Sequence, residues 1–415
     1  MSTMAAHIQA GDRLSAYAVF AAMLAAAGLP LYIHAPKFYV DTYGVSLAAL
    51  GAVLFGLRML DVVQDPLLGR LAERLRLHRA MSVAVAVSII ALAMMGLFAV
   101  EPPVDPLIWF ALMLTLVFSS FSFLTICFYA QGVTKAGVIG GIGYLRLAKW
   151  RETGALLGVC AAAVAPLALS GAFSRPFVGF AFGFATLCLF AWAAMRSEWE
   201  AADLPPSSGF APILRDPMAR RLLLIALLNA APVAVSSTLF LFFVESRLAA
   251  PGQEGVLLLL FFLSAAMAAP FWGRLAERIG AKPALMAGMS LAIVSFGFAM
   301  TLGGGDVAYF AVICVASGAA LGADLTLLPA LFAARMARIA PTAAEGFGLW
   351  SFVSKASLAF AAVLLLPALE ASGFQAGADN PASALTLLTV FYAALPCGLK
   401  LVALTLLAAT DLKDL

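Results

Sequence analysis

Long apolar runs recur along the whole of this chain and leave little polar sequence between them. Of its 415 residues, 63% are hydrophobic and only 11% are charged, and the mean hydropathy is +1.01. A helix needs about 20 apolar residues to cross about 30 Å of hydrocarbon, and these runs are too long for the strands of a membrane barrel. The pattern predicts an all-α integral membrane protein rather than a soluble globular domain.

Clusters of charged residues and Pro or Gly breaks divide the chain into twelve predicted transmembrane helices. The predicted spans are residues 14–41, 46–72, 80–101, 105–131, 143–169, 174–195, 220–246, 254–276, 282–303, 307–334, 343–370 and 383–409. Both termini are expected in the cytoplasm, because only Lys37, Arg175 and Arg247 then fall on outer connections. The net charge of +3 reflects this bias and does not point to nucleic acid. No signal-peptide pattern precedes the first span, which is expected to stay uncleaved, and the Ala/Leu-rich composition favours a bacterial inner membrane.

An internal repeat indicates that the chain consists of two related parts. Residues 66–74 read PLLGRLAER and residues 270–278 read PFWGRLAER, an offset of 204. Parallel repeats of this kind build transporters whose substrate site lies between two halves near the bilayer midplane. The repeat predicts two pseudo-symmetric six-helix bundles, 1–195 and 219–415, joined by a polar cytoplasmic loop at 196–218.

The repeated GRLAER sequence follows the second and eighth spans. Its charges are expected to bind the ends of neighbouring helices and so to bias a gate, with a purely topological basic loop as the alternative. The predicted gating residues are Gly69, Arg70, Glu73, Arg74, Gly273, Arg274, Glu277 and Arg278.

Two carboxylates and a guanidinium interrupt the second span. Arg58, Asp61 and Asp65 are three and four residues apart and therefore share one helical face. Each charge costs about 2.5–3.5 kcal/mol near the bilayer centre, and Arg58 offsets only one carboxylate. The remaining negative charge suits a monovalent cation or a proton, to which the amide oxygen of Gln64 can contribute. A neutralised structural cluster is the alternative.

The repeat provides an internal control for this cluster. At the offset of 204, Asp61 falls on Ala265 and Asp65 on Ala269. Since the second copy has apolar residues there, scaffolding alone does not require the charges.

Three further charges lie deep in predicted spans: Arg151, Asp324 and Lys355. Asp324 and Lys355 are expected either to pair across helices, as part of a charge network with Arg58, or to contact a ligand directly. His34 is expected to be a hydrogen-bonded packing residue. Neither the scattered histidines nor the five cysteines have the spacing of a metal or catalytic site, so no enzyme activity and no cofactor other than a coupling cation are expected.

The second span contains the pattern R-x-x-D-x-x-x-D-P-x-x-G, namely Arg58, Asp61, Asp65, Pro66 and Gly69. This pattern resembles the signature of the glycoside-pentoside-hexuronide:cation symporters, the melibiose-permease-like family of the major facilitator superfamily. The resemblance implies that Asp61 and Asp65 bind Na⁺, Li⁺ or H⁺. It also implies that Gln64 replaces an asparagine between them and that Ser122 supplies a cation-site hydroxyl.

The same resemblance implies a solute site. The family's conserved cations match Arg151 and Lys355, while its sugar-binding aspartate and tryptophan align with Thr125 and Tyr129. Carboxylates that hold sugar hydroxyls in the family are therefore missing, and the retained cations suit an anionic solute such as a uronate.

The sequence thus predicts a cation-coupled secondary symporter, driven by Na⁺ or H⁺, for a small organic solute that is sugar-like or anionic. It is expected to work by alternating access as a monomer in the lipid bilayer. A proton-driven exporter or a lysolipid transporter of the same fold is the alternative.

Overall fold

The computed structural model describes residues 13–170, 174–199, 209–375 and 380–411, and in these ranges the chain is helical, without strands. The α-helices are α1 Leu14–Ala26, α2 Leu29–Tyr43, α3 Leu47–Arg74, α4 Arg79–Phe98, α5 Pro106–Ile139, α6 Gly143–Leu169, α7 Pro176–Met195, α8 Ala211–Arg215, α9 Pro217–Phe242, α10 Glu254–Ile279, α11 Ala281–Gly297, α12 Val307–Ile339, α13 Ala344–Ala371, α14 Ala382–Thr389 and α15 Leu395–Ala408. Each predicted span falls on one or two of them. Among the described residues, nine helices are long and apolar enough to cross a membrane.

Two predicted spans are interrupted in the structure. The first divides into α1 and α2 at Ala27 and Gly28, just before Pro30, where a proline cannot donate the backbone bond that continues a helix. The last divides into α14 and α15 around a π-helical turn, Val390–Ala394. The last segment, Ala382–Ala408, is still long and apolar enough to cross a membrane, whereas α1 alone is a shorter apolar helix.

Contacts between residues divide the chain into two compact units. Unit 1 contains Met1–Arg215 and Met336–Phe352, and unit 2 contains Asp216–Arg335 and Val353–Leu415. The division after Arg215 falls inside the predicted loop, and the predicted bundle boundaries stay a prediction.

Close contact between α1 and α6 positions the polar residues of unit 1. A Cβ added at Gly154 would lie 2.1 Å from the carbonyl oxygen of Ala18, and one at Gly158 would lie 2.3 Å from that of Ala22. Only glycine permits this approach between the two backbones. The approach holds the first turns of α6, which carry Arg151, against α1.

Unit 2 has a comparable approach between α10 and α12. Added Cβ atoms at Gly318 and Gly322 would lie 2.2 and 2.8 Å from the carbonyl oxygens of Phe261 and Ala265. Ala265 and Ala269, the repeat equivalents of Asp61 and Asp65, are completely buried. The second repeat therefore packs this helix face without charges, as the sequence predicts.

Polar contacts join helix ends in unit 2. Asp216 caps α9 through the backbone N–H of Ala219 at 2.7 Å and forms a salt bridge of 2.5 Å with Arg335 of α12. Lys282 donates to the carbonyl oxygens of Ala408 and Thr410 at the end of α15, both at 2.8 Å. Cations at a helix C-terminus satisfy carbonyl groups that have no helical partner.

Candidate functional site

The two carboxylates of α3 are buried on one side of this helix. Asp61 is 3% exposed and Asp65 is 0% exposed, whereas Val63 and Leu67 of the same helix are 66% and 60% exposed. Pro66, inside the helix, lacks the N–H that would bond the carbonyl of Val62. The carboxylates thus lie on the protein side of α3, with its apolar residues on the outer side.

Gln64 connects the first carboxylate to α5. Its Nε2 donates to Oδ1 of Asp61 at 2.8 Å, and its Oε1 accepts from the hydroxyl of Ser119 at 3.0 Å. An ionised carboxylate accepts hydrogen bonds only, so this orientation of the amide suits a charged Asp61. In this arrangement the amide oxygen faces Ser119, and its predicted use as a cation ligand requires the amide to turn.

Asp65 accepts a hydrogen bond that the sequence did not predict. The hydroxyl of Ser351 in α13 lies 2.5 Å from Oδ2 of Asp65. Both residues belong to unit 1. Two glycines make the approach possible, because a Cβ at Gly69 would lie 3.2 Å from the Cα of Gly348. The spacing G-x-x-S in α13, which places Gly348 and Ser351 on one helical face, is the signal that could have identified this hydroxyl.

Two further residues, Ser122 and Arg58, were predicted to take part in the cation site or its charge balance. Each lies within one helical turn of a residue already described. Ser122, predicted as the cation-site hydroxyl, is buried on α5 three residues after Ser119. Arg58 is half-buried one turn before Asp61.

Arg151, Glu152 and Tyr129 form a second buried polar cluster. The guanidinium of Arg151 lies 3.8 Å from the centroid of the Tyr129 ring, and its Nε donates to Oε1 of Glu152 at 2.7 Å. The Tyr129 hydroxyl donates to the same carboxylate oxygen at 3.1 Å. Glu152 was not a predicted site residue, although its position next to Arg151 in an apolar span is a visible signal. The cluster holds the guanidinium over an aromatic ring, a contact that Arg favours.

Two buried polar atoms have no hydrogen-bond partner among the described residues: Nη2 of Arg151 in this cluster and Oγ1 of Thr125. Thr125 lies one turn before Tyr129 on α5. Buried polar atoms are nearly always paired in folded proteins, so unpaired ones mark positions where a ligand or water can bind. Thr125, Tyr129 and Arg151 were all predicted to bind solute, and the structure brings Tyr129 and Arg151 into contact.

A polar stripe along α5 runs from the first cluster to the second. Ser119, Ser122, Thr125 and Tyr129 are separated by three, three and four residues and so share one face of the helix. At 1.5 Å per residue, the stripe is about 15 Å long. One rigid helix therefore carries groups that belong to both clusters.

Asp324 pairs with a different lysine from the one expected. Its Oδ2 accepts from Nζ of Lys400 in α15, so the predicted pair with Lys355 is wrong. Nζ of Lys400 also donates to Oδ1 of Asn229 in α9 at 2.6 Å. The sequence does contain a signal for this pair, because Lys400 is a lysine within the apolar stretch of the twelfth predicted span. Lys355 is half-buried in unit 2, and its role stays a prediction.

The GRLAER residues have different surroundings in the two repeats. Arg70 lies 4.7 Å from the ring centroid of Phe210, and Glu73 forms a 3.5 Å salt bridge with Arg76. Arg74, Arg274 and Arg278 are exposed, Glu277 is half-buried and Gly273 is buried. His34 lies within 3.1 Å of the carbonyl oxygens of Ala162 and Ala163, as a packing histidine should.

Comparison with known proteins gives a family match and a fold match. A sequence profile of the family described as MFS/sugar transport protein matches residues 14–414. Among solved structures, the chain is similar to a bacterial homologue of the iron transporter ferroportin in an outward-facing state, with 15% identity and a TM-score of 0.68 over 95% of this chain and 98% of that chain. The same homologue with soaked iron gives 14% identity and a TM-score of 0.70 over the same shares. Such identities establish the fold alone. No curated protein matches.

Proposed function

Because the chain belongs to the family of MFS/sugar transport proteins, we propose that it is a secondary transporter that couples a small organic solute to Na⁺ or H⁺. The narrower placement among glycoside-pentoside-hexuronide:cation symporters is part of this proposal. So are its location in a bacterial inner membrane as a monomer and the cytoplasmic position of both termini.

The burial of Asp61 and Asp65 is the observation that carries the proposal. Two carboxylates, 3% and 0% exposed, are expensive in a membrane-spanning helix unless a positive charge compensates them. We propose that Arg58 and one bound monovalent cation supply this positive charge. Oxygen atoms of Asp61, Asp65, Ser122 and Ser351 are the hard ligands that Na⁺ prefers, and either carboxylate can bind H⁺ instead.

The solute site is proposed at Arg151, Tyr129 and Thr125. Glu152 occupies Nε of Arg151 and leaves Nη2 unpaired, so the guanidinium is oriented before a ligand arrives. A carboxylate of the solute can bind Nη2, a sugar-like hydroxyl can bind Oγ1 of Thr125, and the Tyr129 ring offers an apolar surface. These groups together favour a solute with both a carboxylate and hydroxyls, such as a uronate. Lys355 is proposed as a further cation near the solute.

Coupling between the two sites is proposed to run through α5. A cation on Asp61 competes with the Gln64 amide, which also binds Ser119, and Ser119 shares a helix face with Thr125 and Tyr129. Coupling requires that the cation bind the solute-competent state more tightly than the other state. The GRLAER residues are proposed to bias the gate.

The test is solute uptake into liposomes that contain the purified protein. Uronates, organic acids and sugars are supplied with and without a gradient of Na⁺ or H⁺, and the active solute is then tested with three variants. We expect D61N/D65N to abolish gradient-driven uptake, R151K to reduce it, and D41N to leave it unchanged. Asp41 is the matched control because its carboxylate is exposed and pairs with Lys37. Normal gradient-driven uptake by D61N/D65N would refute the proposal.

One observation favours the alternative of a lysolipid transporter. Unit 1 contains a cavity of about 730 Å³ between α6 and α7, lined by small residues such as Gly158, Ala161, Ala165, Gly179 and Gly183, and also by Arg175. An acyl chain fits apolar walls, and a phosphate can pair with an arginine. Uptake of lysolipid that is blocked by G183W, with no response to uronates, would favour this alternative.

A further inference from the structure

A buried ion pair in unit 2 has no role in the proposed function. Asp324, Lys400 and Asn229 lie on α12, α15 and α9, and these residues are 6%, 4% and 6% exposed. Lys400 Nζ donates to Oδ2 of Asp324 and to Oδ1 of Asn229. The pair is neutral overall, so it needs no additional cation for charge balance.

One atom of this cluster is unsatisfied. Oδ1 of Asp324 is buried and has no hydrogen-bond partner in the part of the chain that the structure describes. An ionised carboxylate can accept several hydrogen bonds, and a buried carboxylate oxygen that accepts none is unfavourable. A pair that served only to join helices would be expected to satisfy both oxygens.

A small cavity adjoins the unsatisfied carboxylate. It has a volume of about 50 Å³ and is lined by both Asp324 and Lys400, together with Ser236, Ser317, Pro396 and Cys397. This volume is enough for at least one water molecule. Among the described residues, Asp324 and Lys400 are the only charged ones that line the cavity. The Cys397 thiol donates to the carbonyl of Ile293 on α11.

The helix that carries Lys400 is irregular next to the pair. A π-helical turn, Val390–Ala394, comes directly before α15, and Pro396 precedes Lys400 by one turn. Such turns are common at functional sites, because they leave a helix able to shift locally. Lys400 therefore lies on a segment that can change its register more easily than an unbroken helix.

We propose that Asp324 is a proton-binding site, separate from Asp61 and Asp65. A hydronium ion in the cavity gives its proton to Oδ1 of Asp324, an O–H bond forms, and water remains. The ion pair is then lost, while Lys400 keeps its charge and its bond to Asn229. The cluster changes from neutral to one net positive charge, which apolar surroundings disfavour and contact with water favours. The proton affinity of Asp324 therefore depends on the access of water to unit 2, as a coupled proton site requires.

Infrared difference spectroscopy of the full-length protein during a pH step tests this proposal, since it detects protonated carboxyl groups without relying on transport. The key variant is D324N/K400Q, which removes both charges and retains polar side chains of similar size. D324N alone would strand the Lys400 charge and can fail to fold. The swapped pair D324K/K400D serves as a folding control, because it keeps opposite charges.

The proposal expects one carboxyl band that is present in the wild-type protein and in D61N/D65N and is missing from folded D324N/K400Q, since the other Asp and Glu residues contribute bands to all three proteins. Identical spectra of folded D324N/K400Q and the wild-type protein would overturn it, as would the absence of that band from D61N/D65N over the pH range in which that variant is folded. In either case the pair is a structural link between α9, α12 and α15. The proposed function is tested by a different measurement, the loss of gradient-driven uptake in D61N/D65N, so the two proposals can fail independently.

Discussion

The hydroxyl of Ser351 lies 2.5 Å from Oδ2 of Asp65 in the interior of unit 1. Asp65 is completely buried, and a carboxylate in such a position is much more stable as an anion when a donor binds it. The contact depends on the close approach of Gly69 and Gly348, for which any larger residue would need the backbones to separate. Two glycines and a serine thus set the environment of the carboxylate.

Replacing Ser351 tests the importance of this contact. S351A removes a hydrogen bond to a charged group, worth about 1.5–3 kcal/mol, and one oxygen of the proposed cation site. We expect the Kd for Na⁺ to rise about tenfold, because the site loses one oxygen ligand; a factor of ten corresponds to about 1.4 kcal/mol. Titration calorimetry measures this change. S290A, which removes an exposed hydroxyl bonded to its own helix, should bind Na⁺ like the wild-type protein. Equal affinities of all three proteins would exclude Ser351 from the site.

The ion pair of Arg151 and Glu152 predicts that two neighbouring substitutions, E152Q and Y129F, destabilise the protein by different amounts. E152Q leaves the buried Arg151 charge without its partner, and such a loss typically costs about 3–5 kcal/mol of unfolding free energy. Y129F removes only a hydroxyl and keeps the ring beneath the guanidinium, so it should cost about 1–3 kcal/mol. The unfolding temperature in detergent should be lowest for E152Q, higher for Y129F and highest for the wild-type protein. The reverse order for the two variants would show that Glu152 does not stabilise Arg151.

The chain's helices and its buried carboxylates could be predicted from sequence, because apolar length and isolated charges are local signals. Ser119 could not, since an ordinary serine becomes part of a site only through packing between distant helices, and Ser351 was missed although the G-x-x-S spacing of α13 is a signal for it. The pairing of Asp324 was mistaken for the same reason. Either lysine was chemically suitable, and only the arrangement of α12 and α15 selects Lys400 over Lys355. The break in the first span was missed because Gly28 and Pro30 do not alter its overall hydropathy.

The contact of α1 with α6 predicts unequal effects of the same substitution at two glycines. G158A places a methyl group 2.3 Å from the carbonyl oxygen of Ala22, and only a backbone shift can relieve this clash. Overpacking of this kind costs about 1–3 kcal/mol. G183A is the matched control on α7, since no described residue outside its chain neighbours and its own helix backbone lies within 4 Å of the added methyl. Unfolding temperatures should fall for G158A and not for G183A. A normal unfolding temperature for G158A would contradict the packing of these helices.

The contact of Asp216 with Arg335 predicts a pH dependence. The hydrogen bonds from Arg335 lower the pKa of Asp216 below its usual value of 3.8, and the backbone N–H of Ala219 adds to this effect. A carboxyl group with a depressed pKa stabilises the folded state above its unfolded pKa, and this stabilisation is lost as the pH falls through the folded pKa. D216N keeps a good helix cap but removes the charge. The difference in unfolding temperature between wild-type protein and D216N should therefore be constant near neutral pH and shrink below about pH 4. A difference that does not change with pH would show that the charge plays no part.

The most direct test of the central claim is the effect of the coupling cation on the unfolding temperature of the purified protein. Na⁺ replaces choline at constant ionic strength and at two pH values, and the experiment includes wild-type protein, D61N/D65N and D41N. A ligand that binds only the folded state at 100 times its Kd adds about 2.7 kcal/mol of stability. We predict that Na⁺ or acidification raises the unfolding temperature of wild-type protein and D41N, and that D61N/D65N loses this response. A response of D61N/D65N equal to that of the wild-type protein would contradict the assignment of the cation site to Asp61 and Asp65.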